Sequence, residues 1–161
     1  MKRVKQFKYR LMTRGEEEKV ITLVADVFNE FVAPLYNAEG IAEYYKYANA
    51  AALAERSKTN HVTIIAEQNN DPVGMIEIRN HNHIALFFVK SQFQRQGIGT
   101  QLLRRALDIC LKNNPGLQKM TVHSSPNALG AYEEMGFSPE NIEQCVNGMR
   151  YVPMSLKIGR K

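Results

Sequence analysis

Apolar residues recur along this chain at two spacings, and the change from one to the other marks out its elements. The opening "FKYRLM" alternates and predicts a first strand. In "GEEEKVITLVADVFNEFVAP", Val20, Val24, Val27, Phe28 and Phe31 recur at helical spacing and form the stripe of an amphipathic helix. Glutamates crowd its first turn, where the positive end of the helix dipole favours them, and Pro34 helps to stop it. "IAEYYKYANAAALAERS" predicts a second, alanine-rich helix with Tyr44, Tyr45 and Tyr47 near its start. From His61 the period shortens: "HVTIIAE", "VGMIEIR" and "HIALFFV" read as three strands, expected to pair antiparallel, with "NNDP" and "NHNH" as the turns between them. Helical spacing returns in "IGTQLLRRALDICLK", where Ile98, Leu102, Leu103, Ala106, Leu107 and Cys110 share one face, and "NNPG" ends that helix. "KMTVHS" predicts a fifth strand and "NALGAYEEM" a short helix closed by Gly136. A last pair of strands is expected around Asn147-Gly148. Strands and helices in this order, β-α-α-β-β-β-α-β-α-β-β, predict an α/β protein with a central sheet covered by helices. Residues 1–161 are expected to form a single domain.

Composition narrows the partners. The chain carries 44% hydrophobic and 23% charged residues, ordinary for a globular protein, and no apolar run long enough to span a bilayer. The basic opening "MKRVKQFKYRLM" has neither the apolar stretch nor the cleavage site of a secretory signal. Cys110 and Cys145 lack metal-ligand spacing, so a reduced, cytoplasmic chain without a metal is expected. A net charge of +5 favours an anionic partner: nucleic acid, an acidic membrane or a phosphorylated small molecule. No basic run or recognition motif supports nucleic acid and no membrane partner is expected, but charge alone does not choose among the three.

The stretch that speaks to such a ligand is "SQFQRQGIGTQLLRRAL". Gly97 and Gly99 follow a predicted strand and open a predicted helix. A helix start presents N–H groups without partners and partial positive charge, and a glycine there keeps side-chain bulk away from an approaching phosphate. A lone G-x-G serves equally as a tight strand-to-helix turn. Two common phosphate loops are excluded: no G-x-x-x-x-G-K-[ST] string occurs, and "GIGTQL" has Leu102 where a dinucleotide fingerprint needs its third glycine.

"QRQGIG", Gln94 to Gly99, resembles the Q/R-x-x-G-x-G/A signature of the GNAT acetyltransferases. "SSPNALGAYEEMGF" resembles that superfamily's later motif, with Tyr132 four residues before the Gly136-Phe137 pair. The order of predicted elements is also similar, so the resemblance spans nearly the whole chain and implies a GNAT-like, mixed but mostly antiparallel sheet. It further implies acetyl-coenzyme A (acetyl-CoA) as donor, its diphosphate on the amides of Gln94, Arg95, Gln96, Gly97, Ile98, Gly99 and Thr100. Lys90, Arg95 or Arg104 is implied to meet its charge, with a solvated surface role as the alternative for each. The pantetheine arm is implied to pair with Phe87, Phe88 and Val89, in a slot where that strand splays from "KMTVHS". The Val89 N–H is implied to polarise the thioester carbonyl, and Tyr132 to act as general acid unless it is simply a core tyrosine.

For the base, Glu77 is the nearest glutamate in the central strands, with a salt-bridge role as the alternative, and His83 and His123 are candidate proton relays. His123 stands where many relatives have asparagine; Asn127 is expected either to make that coenzyme contact or to cap the short helix. The implied acceptor is a small-molecule or peptide amine, for which Tyr44, Tyr45 and Tyr47 offer an aromatic wall or else pack on the sheet. The resemblance allows a homodimer. The alternative is a CoA-binding sensor that keeps the glycines without catalysis.

Overall fold

The computed structural model describes residues 6–159; the start of the basic opening stretch lies outside them. A first strand, β1 (Lys8–Leu11), leads to helix α1 (Glu17–Phe31), whose buried stripe is Val20, Leu23, Val24, Val27 and Phe28. Pro34 sits in a short 3-10 turn just after it. The expected single second helix is two, α2 (Ala38–Tyr47) and α3 (Ala50–Arg56). Asn49 makes the break. Its Oδ1 accepts from the Ala52 N–H at 2.9 Å, capping α3, while its Nδ2 donates to the Tyr45 and Lys46 carbonyls at the end of α2.

Strands β2 (His61–Gln68), β3 (Asp71–Arg79) and β4 (His83–Val89) form the antiparallel meander. Its turns run through Asn69-Asn70 and Asn80-His81, all at positive φ, where asparagine is tolerated better than most residues. Helix α4 (Ile98–Asn113) crosses over to β5 (Lys119–Ser124), which lies parallel to β4. Short helix α5 (Leu129–Glu134) follows, then β6 (Ser138–Pro139), β7 (Gln144–Val146) and β8 (Met149–Lys157). The last two strands form the expected hairpin through Asn147 and Gly148, both at positive φ; β6 was not expected. The sheet runs β1-β2-β3-β4-β5-β8-β6, with β7 on β8. Among the described residues, no helix is long and apolar enough to cross a membrane.

Each face of the sheet carries its own core. Ile64, Ile76, Ile78 and Ile84 pack with Leu102, Leu103 and Ala106 of α4. Ile65, Met75 and Leu86 pack on the other face with Val20, Leu23, Val24 and Leu53. Ile84 and Leu86 are two residues apart yet face opposite sides, which a regular strand forbids. The register explains it: Ile84 pairs Ile78 and Leu86 pairs Glu77, leaving Ala85 as the extra residue of a β-bulge.

A polar clamp holds the start of the fold. The Arg10 guanidinium on β1 donates to Glu67 on β2 at 3.1 Å and to Glu16, just before α1, at 2.9 Å. Hydrogen bonding from Arg10 lowers the Glu16 carboxyl from its ordinary 4.5 to about 2. Because the folded value is the lower one, this contribution to stability is complete above pH 4.5 and is lost as pH falls toward about 2. Glu16→Gln is therefore expected to flatten part of the fall in Tm across that acid range, as followed by thermal melts at stepped pH.

Candidate active site

The bulge opens the site. Parallel pairing of β4 with β5 consists of His83 with Thr121 and Ile84 with Val122, and it ends just before Ala85. Beyond that point the two strands part, and a cleft of about 770 Å³ lies between them. Its floor includes Ala85 to Val89 on one side and Val122 and His123 on the other. The Lys90 N–H donates to the Val73 carbonyl at 2.9 Å, so the alternation of an antiparallel ladder turns the N–H and C=O of Phe87 and Val89 away from β3, toward this slot. The Val89 carbonyl takes a 2.9 Å hydrogen bond from the Gln94 side chain. An extended chain laid in the slot would find strand-edge groups to pair with.

At one end of the cleft α4 begins. Gly97 is its cap residue at φ +84, a left-handed value that glycine adopts without strain, and Arg95 two residues earlier also has positive φ. A left-handed residue followed by the right-handed first turn makes consecutive N–H groups converge, as in anion-binding nests. The first turn of α4 has no side-chain cap, whereas Asn37 caps α2 and Asn49 caps α3. Its leading N–H groups have no helical partners by construction. A Cβ built on Gly97 would meet nothing within 4 Å, so the space beside those amides is open. The helix start is also pressed onto the sheet: a Cβ on Gly74 of β3 would lie 3.2 Å from Ile98 and 3.3 Å from Leu102. Backbone-to-helix packing of this kind fixes where the amides point.

Gln94, Arg95, Gly97, Ile98, Gly99 and Thr100 all line the cleft, together with Phe87, Phe88, Val89 and Asn127. Gln96 does not; its side chain reaches back to the Gln92 carbonyl at 3.4 Å. Of the three basic candidates only Arg95 is in the lining, with Lys90 and Arg104 outside it.

Tyr132 enters from α5. Its ring meets Phe87 and Phe137 edge to face, at centroid distances of 6.0 and 5.3 Å, and it is 8% exposed. Burial pushes its phenol far above the ordinary tyrosine value, so it carries its proton throughout the neutral range. Across the cleft stand Tyr36 and Tyr44, with Tyr44 stacked on Phe28 at 4.0 Å. The other two tyrosines of α2 turn elsewhere. Tyr45 donates to Asn29, and Tyr47 lies under the Arg56 guanidinium, 3.6 Å from its ring centroid.

Glu77, the expected base, stands apart from these groups. It is fully buried on the face of β3 toward α3, outside the cleft lining. Arg56 donates to both of its oxygens, at 2.8 and 3.0 Å, and His61 Nδ1 lies 2.8 Å from one of them. A carboxylate so engaged ties α3 to the sheet. Tyr36 and Ala85 are among the cleft residues that sequence reasoning missed. An alanine in an apolar run carries no sign of a bulge. Among the described residues, no group of His, Cys, Asp and Glu is arranged to hold a metal.

Known proteins share this architecture. A GCN5-related N-acetyltransferase from Rhodopseudomonas palustris superposes with a TM-score of 0.80 at 19% identity, covering 98% of this chain and 100% of that one. PaiA N-acetyltransferase from Thermoplasma acidophilum, solved with coenzyme A, gives 0.77 at 19% identity, covering 94% and 99%. A GNAT-family acetyltransferase from Staphylococcus aureus Mu50 gives 0.72 at 13% identity, covering 96% and 100%. At such identities the likeness is one of fold. Residues 32–158 match the acetyltransferase (GNAT) domain family, a span that takes in the splayed strands, the uncapped helix and Tyr132. With most of its length inside that match, the chain belongs to the GNAT acetyltransferase family.

Proposed function

We propose that this protein transfers an acetyl group from acetyl-CoA to a primary amine, small molecule or peptide, by direct attack in the cleft. One observation carries the reading: the uncapped, left-handed entry to α4 opens onto the slot left by β4 and β5. Of the amides expected to receive the diphosphate, that of Gln94 already donates to the Ser91 carbonyl, so those from Arg95 to Thr100 do so. The outward N–H and C=O groups of Phe87 and Val89 pair with the pantetheine amides, which brings the thioester toward the bulge. There, where the ladder with β3 slips at Ala85, backbone N–H groups polarise the thioester carbonyl and steady the oxyanion of the tetrahedral intermediate, while the Val89 N–H expected in that role is taken up by pantetheine nearer the diphosphate. Tyr132 supplies the proton that the departing thiolate takes. Asn127 lines the pantetheine side, and the amine enters between Tyr36 and Tyr44.

The reading is tested by following thiol release from acetyl-CoA with and without a panel of primary amines. Release that depends on both partners, with N-acetylated product by mass spectrometry, supports it. Binding of acetyl-CoA with no amine-dependent release would leave a sensor in its place.

A further inference from the structure

Val122 packs into the core beneath α4, so its neighbours Thr121 and His123 lie on the opposite face of β5. On that face, at the last paired residues before the slot opens, two imidazoles meet. His83 Nδ1 lies 2.7 Å from Thr121 Oγ1, a hydroxyl that also lies 3.3 Å from the Asn82 carbonyl. Thr121 Oγ1 thus anchors the imidazole of His83. Its ring is nearly perpendicular to His123, with centroids 5.0 Å apart. His123 is stacked on Tyr151 of β8 at 4.2 Å, and it lines the cleft.

The groups facing His123 are His83 from β4, Arg79 from β3 and Tyr151 from β8, with Tyr132 and Tyr44 across the cleft. No carboxylate hydrogen-bonds to either imidazole among the described residues. Burial and the Arg79 charge lower both rings, His83 to about 4, so each is neutral at pH 7.

We propose that His123 is the proton acceptor for the incoming amine, held in place by Tyr151 and His83; this rests on the acetyl-transfer reading above. An ammonium R–NH3+ gives one proton to the His123 imidazole and becomes R–NH2. Its lone pair forms the C–N bond to the thioester carbonyl carbon, and collapse breaks the C–S bond. The thiolate takes the Tyr132 proton, Tyr132 regains one from the former amine nitrogen through solvent, and imidazolium returns its proton to water. The sum is ammonium and thioester in, amide, thiol and one proton out.

Ethylamine and trifluoroethylamine share one two-carbon skeleton and differ strongly in basicity, and both are small against a cleft of about 770 Å³. The first is protonated at neutral pH; the second is largely neutral. His123→Phe keeps the stack on Tyr151 and removes the lone pair, and His123→Asn serves as a second variant. Against ethylamine near pH 7, both variants are expected to lose about a hundredfold in kcat with the KM for acetyl-CoA unchanged. The deficit is expected to shrink with trifluoroethylamine, and with ethylamine as pH is raised to about 10, where the amine arrives neutral. A kcat within about twofold of wild type for ethylamine near pH 7, or the same deficit for both amines at every pH, would overturn the assignment while leaving acetyl transfer standing. Failure of the wild-type protein with these and every other amine would overturn both.

Discussion

A Gly97→Glu variant is expected to fold and to lose acetyl-CoA. The fold survives because nothing lies within 4 Å of a Cβ at this position, so the new side chain projects into open space. A left-handed φ of +84 costs a non-glycine residue about 1–2 kcal/mol, tolerable in a folded domain. The space it enters is the one assigned to the diphosphate. A carboxylate there adds bulk and like charge against the α4 amides, and a loss on the order of 3 kcal/mol already weakens binding about a hundredfold. Calorimetric titration, alongside a thermal melt to show that the variant is folded, checks both halves. A folded variant that binds normally would refute the placement of the diphosphate.

Tyr132→Phe is expected to separate binding from turnover. The ring keeps its contacts with Phe87 and Phe137, so stability and acetyl-CoA affinity stay close to wild type. Loss of the hydroxyl removes the proton offered to the thiolate, and turnover is expected to fall about 10²–10⁴-fold, the range of a general acid. The pH profile gives a second check. Burial raises the phenol's value, so the wild-type protein shows no decline from Tyr132 ionisation between pH 7 and its ordinary value of 10. Steady-state kinetics at saturating acetyl-CoA decide the matter: unchanged turnover in the variant removes Tyr132 from the chemistry.

Much of this was legible in the chain. Period-two and helical spacings gave the strands and helices in order, and Asn147-Gly148 announced its hairpin. Gly97 was readable because a glycine at a strand-to-helix turn leaves the first amides of the helix uncovered, and most of the residues grouped around it line one cleft. What stayed hidden depends on register or on long-range partners. Asn49 sits in an alanine-rich stretch that reads as one helix until its amide is seen capping in both directions. The bulge at Ala85 exists only relative to β3. Glu77 is claimed by Arg56 from another element, a pairing that no local pattern announces. His83 and His123 lie far apart in sequence, and parallel pairing of β4 with β5 makes them neighbours.

Nitrogen-15 labelled protein titrated with acetyl-CoA reads the central claim at the atoms concerned. The account predicts that the backbone amide resonances from Arg95 to Thr100, Gly97 and Gly99 foremost, move the most and lose their movement in Gly97→Glu. Saturation with those resonances unmoved, and the largest shifts elsewhere on the sheet, would contradict it.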